Sequence, residues 1–129
     1  MDTMIANPPE VVPPPTPMER RRFRRVRLNK PLPAEINRIE TAIMDISARG
    51  ACVAHASVLP RGVPLKLTFI VGGHEYTATA RVTSARVISL GGRTSLPLYE
   101  SHLALVAIPH VTEKVLGRLV AHFANEQPR

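Results

Sequence analysis

Apolar side chains recur at every second position through Leu65, Leu67, Phe69 and Val71, and after Gly72-Gly73 the period resumes at Tyr76, Ala78, Ala80 and Val82. Such alternation predicts half-buried strands. Two alternating runs flanking paired glycines predict a hairpin, because glycine accepts the positive φ of a tight primed turn. Gly91-Gly92 repeats the device between the stretch Val82 to Leu90 and a run that ends in Ser101 to Ile108. Pro97 predicts an irregular or edge start to that last strand. Upstream, Ala34-Glu-Ile-Asn alternates, Ile39 to Ile46 is rich in β-branched residues, and Ala51-Cys-Val-Ala follows Gly50.

After Pro109 the period changes. Val111, Val115, Leu119 and Phe123 fall at fourfold spacing, with Leu116 and Val120 widening the same face, which predicts an amphipathic helix over about 111–124 with Thr112 or His110 as its cap. Strands followed by one helix, without βαβ alternation, indicate a mainly β protein: a small antiparallel six-stranded β-barrel with a C-terminal α-helix. Residues 7 to 17 hold six of the thirteen prolines, so 1–17 reads as a proline-rich flexible tail ahead of a domain at 18–125.

Charge sharpens this picture. The chain of 129 residues carries +7, and residues 20 to 30 hold six arginines, one lysine and no acidic residue, leaving the rest formally neutral. The segment 19–30 is therefore an Arg-rich arm, and a local excess points to a local anionic partner. The longest purely apolar run, Leu103 to Ile108, is far too short to span a membrane. The N-terminus lacks the pattern of a secretory signal, so a cytoplasmic location is expected. The single cysteine, Cys52, is expected to be a buried apolar residue of a strand.

Enzyme signatures are missing: there is no GxSxG, no phosphate-binding Gly-rich loop ending in Lys-Ser or Lys-Thr, and no HExxH. The histidines at 55, 74, 102, 110 and 122 show no ligand spacing, so neither a metal nor a cofactor is expected, and the chain does not read as an enzyme.

Two segments remain: Glu19-Arg20-Arg-Arg-Phe-Arg-Arg-Val-Arg27, and Asp45-Ile-Ser-Ala-Arg-Gly50, with nineteen residues between Arg25 and Asp45. In this order, ahead of a β-rich domain, they resemble the PilZ domain, the bacterial receptor module for cyclic di-GMP, whose signature is Arg-x-x-x-Arg followed by Asp or Asn-x-Ser-x-x-Gly. Arg21-Arg22-Phe23-Arg24-Arg25 matches the first half, and Asp45, Ser47 and Gly50 match the second. The resemblance extends from about Met18 to Phe123, in pattern more than in letters downstream of Gly50. It implies a cyclic di-GMP-binding receptor or adaptor with Arg20, Arg21, Arg22, Arg25, Asp45, Ser47 and Gly50 at the ligand, signalling to an unknown downstream protein partner. An arginine at the position of Arg20 resembles the type that takes a stacked pair of dinucleotides.

The residues suit that ligand chemically. Guanine offers O6 and N7 as adjacent acceptors to a planar guanidinium, which also grips phosphate oxygens. The Asp45 carboxylate can accept from guanine N1–H and the exocyclic amine, and Ser47 adds a hydroxyl. Gly50 is expected where the backbone approaches the purine or takes positive φ. The bland alternative makes Asp45 and Ser47 an ordinary strand-end turn. Phe23 is expected as a packing anchor for the arm. A PilZ-like protein–protein interaction module without nucleotide is the second reading. A nucleic-acid-binding basic module is the third, disfavoured because the arm lacks several stacking rings.

Overall fold

The computed structural model describes residues 11–12, 24–93 and 95–124. The strands are β1 (Val11–Val12), β2 (Val26–Ile36), β3 (Ile39–Ser47), β4 (Gly50–His55), β5 (Leu65–Val71), β6 (His74–Ser89) and β7 (Leu98–Pro109), followed by helix α1 (His110–Ala124). All strand pairs are antiparallel, in the order β1-β7-β4-β3-β2-β5-β6, and an additional β6–β7 pairing joins β2 to β7 into a barrel-like ring of six strands. The mainly β architecture with a C-terminal helix is thus present. Length makes closure attainable. β6 runs for 16 residues, so its first half pairs with β5 and most of its length pairs with β7.

Inside the ring lie Val26, Ile36, Ile43, Ile46, Val53, Leu65, Leu67, Phe69, Leu105 and Ile108, each almost without solvent contact. They come from alternate positions because successive strand side chains point to opposite faces. α1 covers this core with Val115 and Leu116, and partly buried Leu119, Val120 and Phe123 extend the contact. Val111 departs from the expected apolar face and is exposed. Thr112 takes the buried place instead, its Oγ1 donating to the Thr77 carbonyl at 2.8 Å. Thr112 therefore ties the helix to β6 rather than capping it. Gly117 lies on the exposed side of α1.

Two boundaries differ from expectation. Val11–Val12, within the proline-rich tail, forms a two-residue strand against Pro109 and Ile108. The basic arm was expected to run to residue 30, but β2 begins at Val26. Val26 and Leu28 turn inward while Arg27 and Asn29 turn outward, so half of the basic segment is ordinary alternating strand whose period the arginines obscure. A register shift between Arg27 and Leu32 marks a bulge around Pro31, which supplies no ladder donor.

Turn chemistry explains the hairpins. Gly72 and Gly73 take φ of 59° and 80° between paired Val71 and His74, the turn that the paired glycines predict. Only Gly91 of the second glycine pair is left-handed (φ 79°), and the connection to β7 is longer than a two-residue turn. A Cβ on Gly91 would stand 2.8 Å from the backbone of residues 95–97. The β2–β3 turn uses no glycine: Asn37 and Arg38 adopt φ of 49° and 71°. Asn37 is locked by donating its N–H to the Lys66 carbonyl at 2.9 Å and accepting the Lys66 N–H on Oδ1 at 2.8 Å. Asn37→Ala should cost about 1–2 kcal/mol in urea unfolding, because it loses a hydrogen bond and leaves a Cβ-bearing residue in a left-handed conformation. Asn37→Gly, which keeps the backbone freedom but not the side-chain bond, should fall between that variant and the wild type.

Candidate functional site

Register brings one row of side chains across five neighbouring strands. Arg27 on β2 stands opposite Asp45 on β3, Asp45 opposite Cys52 on β4, Cys52 opposite His102 on β7, and His102 opposite Ser84 on β6. Residues directly opposite in antiparallel strands share a face. Glu100, two positions before His102 and on the same face, pairs with Arg86 of β6. These residues line an open pocket of about 540 Å³ on the outer surface of the ring, within the common range for small-molecule sites, about 300–1,000 Å³.

Arg25, just before β2, reaches this row. Its guanidinium donates to His102 Nδ1 at 3.0 Å. Because arginine has donors only, Nδ1 must carry the lone pair, so Nε2 carries the hydrogen of the neutral ring. Arg86 Nε donates to Glu100 Oε1 at 2.8 Å, and the Thr83 hydroxyl donates to the His102 carbonyl at 3.1 Å.

The electrostatics are uneven. Burial pushes the Asp45 carboxyl above its ordinary range, the positive charges of Arg25 and Arg27 offset it only in part, and the nearby Glu100 adds to the rise. Asp45 Oδ1 is buried and has no hydrogen-bond partner among the described residues. Burial also acts on Glu100, but the hydrogen bond and charge of Arg86, the Cys52 thiol and His102 outweigh it and hold this carboxyl below its usual range. Cys52 is pushed up to about 12 by burial and by the negative charges of Asp45 and Glu100. Its thiol is therefore protonated at neutral pH; the cysteine is buried on a strand, as expected, but it lies beside Glu100 and His102.

Of the site residues expected from sequence, Arg25 and Asp45 come together at the pocket. Arg20, Arg21 and Arg22 lie outside the described residues, as does Phe23. Ser47 and Gly50 are placed differently: they form the closing pair of the β3–β4 turn. Ser47 is buried, and its Oγ accepts the Arg49 N–H at 3.3 Å. A Cβ on Gly50 would meet the Leu103 carbonyl oxygen at 2.9 Å. Gly50 has no positive φ. The small residue is thus required by the approach of the neighbouring strand, and the left-handed backbone offered as one reason from sequence is not present. The Arg49 carbonyl accepts from Leu105 N–H at 2.9 Å, and the Arg49 guanidinium lies 3.7 Å from Glu113 of α1, so this turn is docked on β7 and the helix. In the motif Asp-x-Ser-x-x-Gly, the serine and glycine build the turn and the aspartate faces the pocket.

Sequence reasoning missed Arg27, Cys52, Ser84, Arg86, Glu100 and His102 as pocket residues. Alternation along β7 could have paired Glu100 with His102 on one face, but only register sets them beside Asp45. A second buried pair, His55 and Ser101, is joined at 2.7 Å between Nε2 and Oγ, with His55 Nδ1 bonded to the Ser57 carbonyl at 2.6 Å. Ser101 has no exposed surface, and this pair is a polar clamp between β4 and β7.

Comparison with family models, curated proteins and solved structures finds no match.

Asp45 is a carboxylate held at a cost to the fold. Its raised pKa means that, through the window between its unfolded and folded values, the native state binds more protons than the unfolded chain, so its contribution to stability falls as pH rises through that window. Asp45→Asn should therefore raise Tm at pH 7 in the absence of ligand. The gain should shrink as pH falls below the carboxylate range, where the wild-type group is neutral as well. Thermal denaturation across pH checks both.

Proposed function

We propose that the chain is a cyclic di-GMP-binding receptor, a signalling module rather than an enzyme, whose arginines close on the dinucleotide against Asp45. The observation that carries this reading is the convergence of Arg25 and Arg27 on a carboxylate whose Oδ1 has no hydrogen-bond partner among the described residues. A polyphosphate or nucleic-acid grip has no use for that carboxylate, which repels a phosphate backbone. A guanine edge has: its N1–H and amine donate to Asp45 while O6 and N7 accept from a guanidinium. Ligand binding replaces the bond from Arg25 to His102 by charge-assisted bonds to phosphate or guanine, which are about twice as strong as neutral ones.

The like charges of residues 20 to 30 repel one another, and a dianionic ligand neutralises several at once, which favours the closed complex. Arg20, Arg21 and Arg22 contribute in this reading as the resemblance to PilZ domains implies. The output passes to a protein partner. Ser47 supports the site through the Arg49 turn, so its replacement acts by shifting the strand that carries Asp45.

Calorimetric titration of the full chain with cyclic di-GMP, with GTP and a short DNA duplex as controls, tests the proposal. Saturable binding of cyclic di-GMP alone is expected, weakened more than about tenfold by Arg25→Ala and by Asp45→Ala, since unpairing a buried charged partner commonly costs about 2–5 kcal/mol. Unchanged affinity in both variants rejects the site. Preferential binding of DNA with a steep salt dependence would instead favour the basic nucleic-acid module.

A further inference from the structure

The same face carries a second chemistry. The ligand atoms of Cys52, Glu100 and His102, one sulfur, one carboxylate oxygen and one imidazole nitrogen, all lie within 4.8 Å of one another. They come from adjacent strands, with Cys52 directly opposite His102 and Glu100 two positions before it. No chain spacing announces this set, because the ladder assembles it.

We infer that Cys52, Glu100 and His102 form a divalent metal site of the zinc class. The mixture of thiolate, imidazole and carboxylate suits a borderline-soft ion, and zinc is held by these three donor types in tetrahedral sites. Three protein ligands leave a fourth position for water. Asp45 and Glu100 place negative charge beside Cys52, and Asp45 Oδ1 is a buried acceptor without a partner among the described residues, so a divalent ion finds carboxylate charge there while Arg25, Arg27 and Arg86 oppose it.

Entry of the ion ends the Cys52–Glu100 hydrogen bond and changes two further bonds. The Cys52 S–H bond breaks and an S–metal bond forms, with the proton leaving to solvent. At His102, an ion at Nδ1 displaces Arg25 directly. An ion at Nε2 requires the proton to move to Nδ1, which also ends the bond from Arg25. Arg25 is therefore the gate of the metal site, and its removal should tighten metal binding. The test needs no dinucleotide, so its outcome is independent of the receptor reading.

The chain has one cysteine, so any thiolate-to-metal charge-transfer band reports Cys52. Titration of the full-length protein with Co(II), followed by displacement with Zn(II), should give such a band saturating at one ion per chain. The band should vanish in Cys52→Ala, affinity should fall at least tenfold in His102→Ala and in Glu100→Gln, and it should rise in Arg25→Gln. Circular dichroism of each variant checks that the strands persist. Absence of the band in the wild-type chain overturns the inference, as does a band whose affinity is untouched by both His102→Ala and Glu100→Gln in folded protein.

Discussion

Closure of the ring by β6 against β7 is the constraint on which the pocket depends. That pairing fixes Ser84 opposite His102 and Arg86 opposite Glu100. The β4–β7 and β3–β4 ladders then carry the same row to Cys52, Asp45 and Arg27. A slip of one residue in any of these ladders would turn its pocket-lining side chain to the opposite face and push a core residue outward. The inner face is filled by large side chains such as Phe69, Ile43 and Leu105, so hydrophobic burial opposes such a slip. Packing inside the ring is therefore what holds the polar row outside it in order.

The row is electrostatically uneven. Two carboxyls and a thiol lie among Arg25, Arg27 and Arg86, yet the pairing is unequal: Glu100 is satisfied by Arg86, while Asp45 keeps a buried oxygen without a partner among the described residues. An unpaired buried acceptor destabilises the empty fold and gains energy when a donor or a cation arrives. The proposed guanine recognition and the inferred metal coordination would both draw on this imbalance. Arg25, bonded to His102, is the residue that both proposals would displace.

Much of the architecture was legible in the chain. The hairpin at Gly72-Gly73 follows from alternation and positive φ, and the helix after Pro109 follows from a change of period. The non-glycine turn at Asn37-Arg38 was hidden, because its left-handed backbone is held by Lys66, a residue distant in sequence. The start of β2 was hidden because arginine at alternate positions reads as charge rather than as strand. Of the residues named from the motifs, Arg25 and Asp45 stand beside the pocket, whereas Ser47 and Gly50 stand in the β3–β4 turn, where Arg49 and Leu103 constrain them.

By itself the sequence determined the local preferences: which runs alternate, where glycines permit tight reversal, and where positive charge concentrates. These depend on residues close in the chain, through side-chain period and backbone sterics. The tertiary structure alone decided that Arg27, Asp45, Cys52, His102 and Ser84 stand in one line. Register is a property of strand pairs, set by long-range burial and turn geometry, and residues far apart in the chain meet only when all the ladders close together.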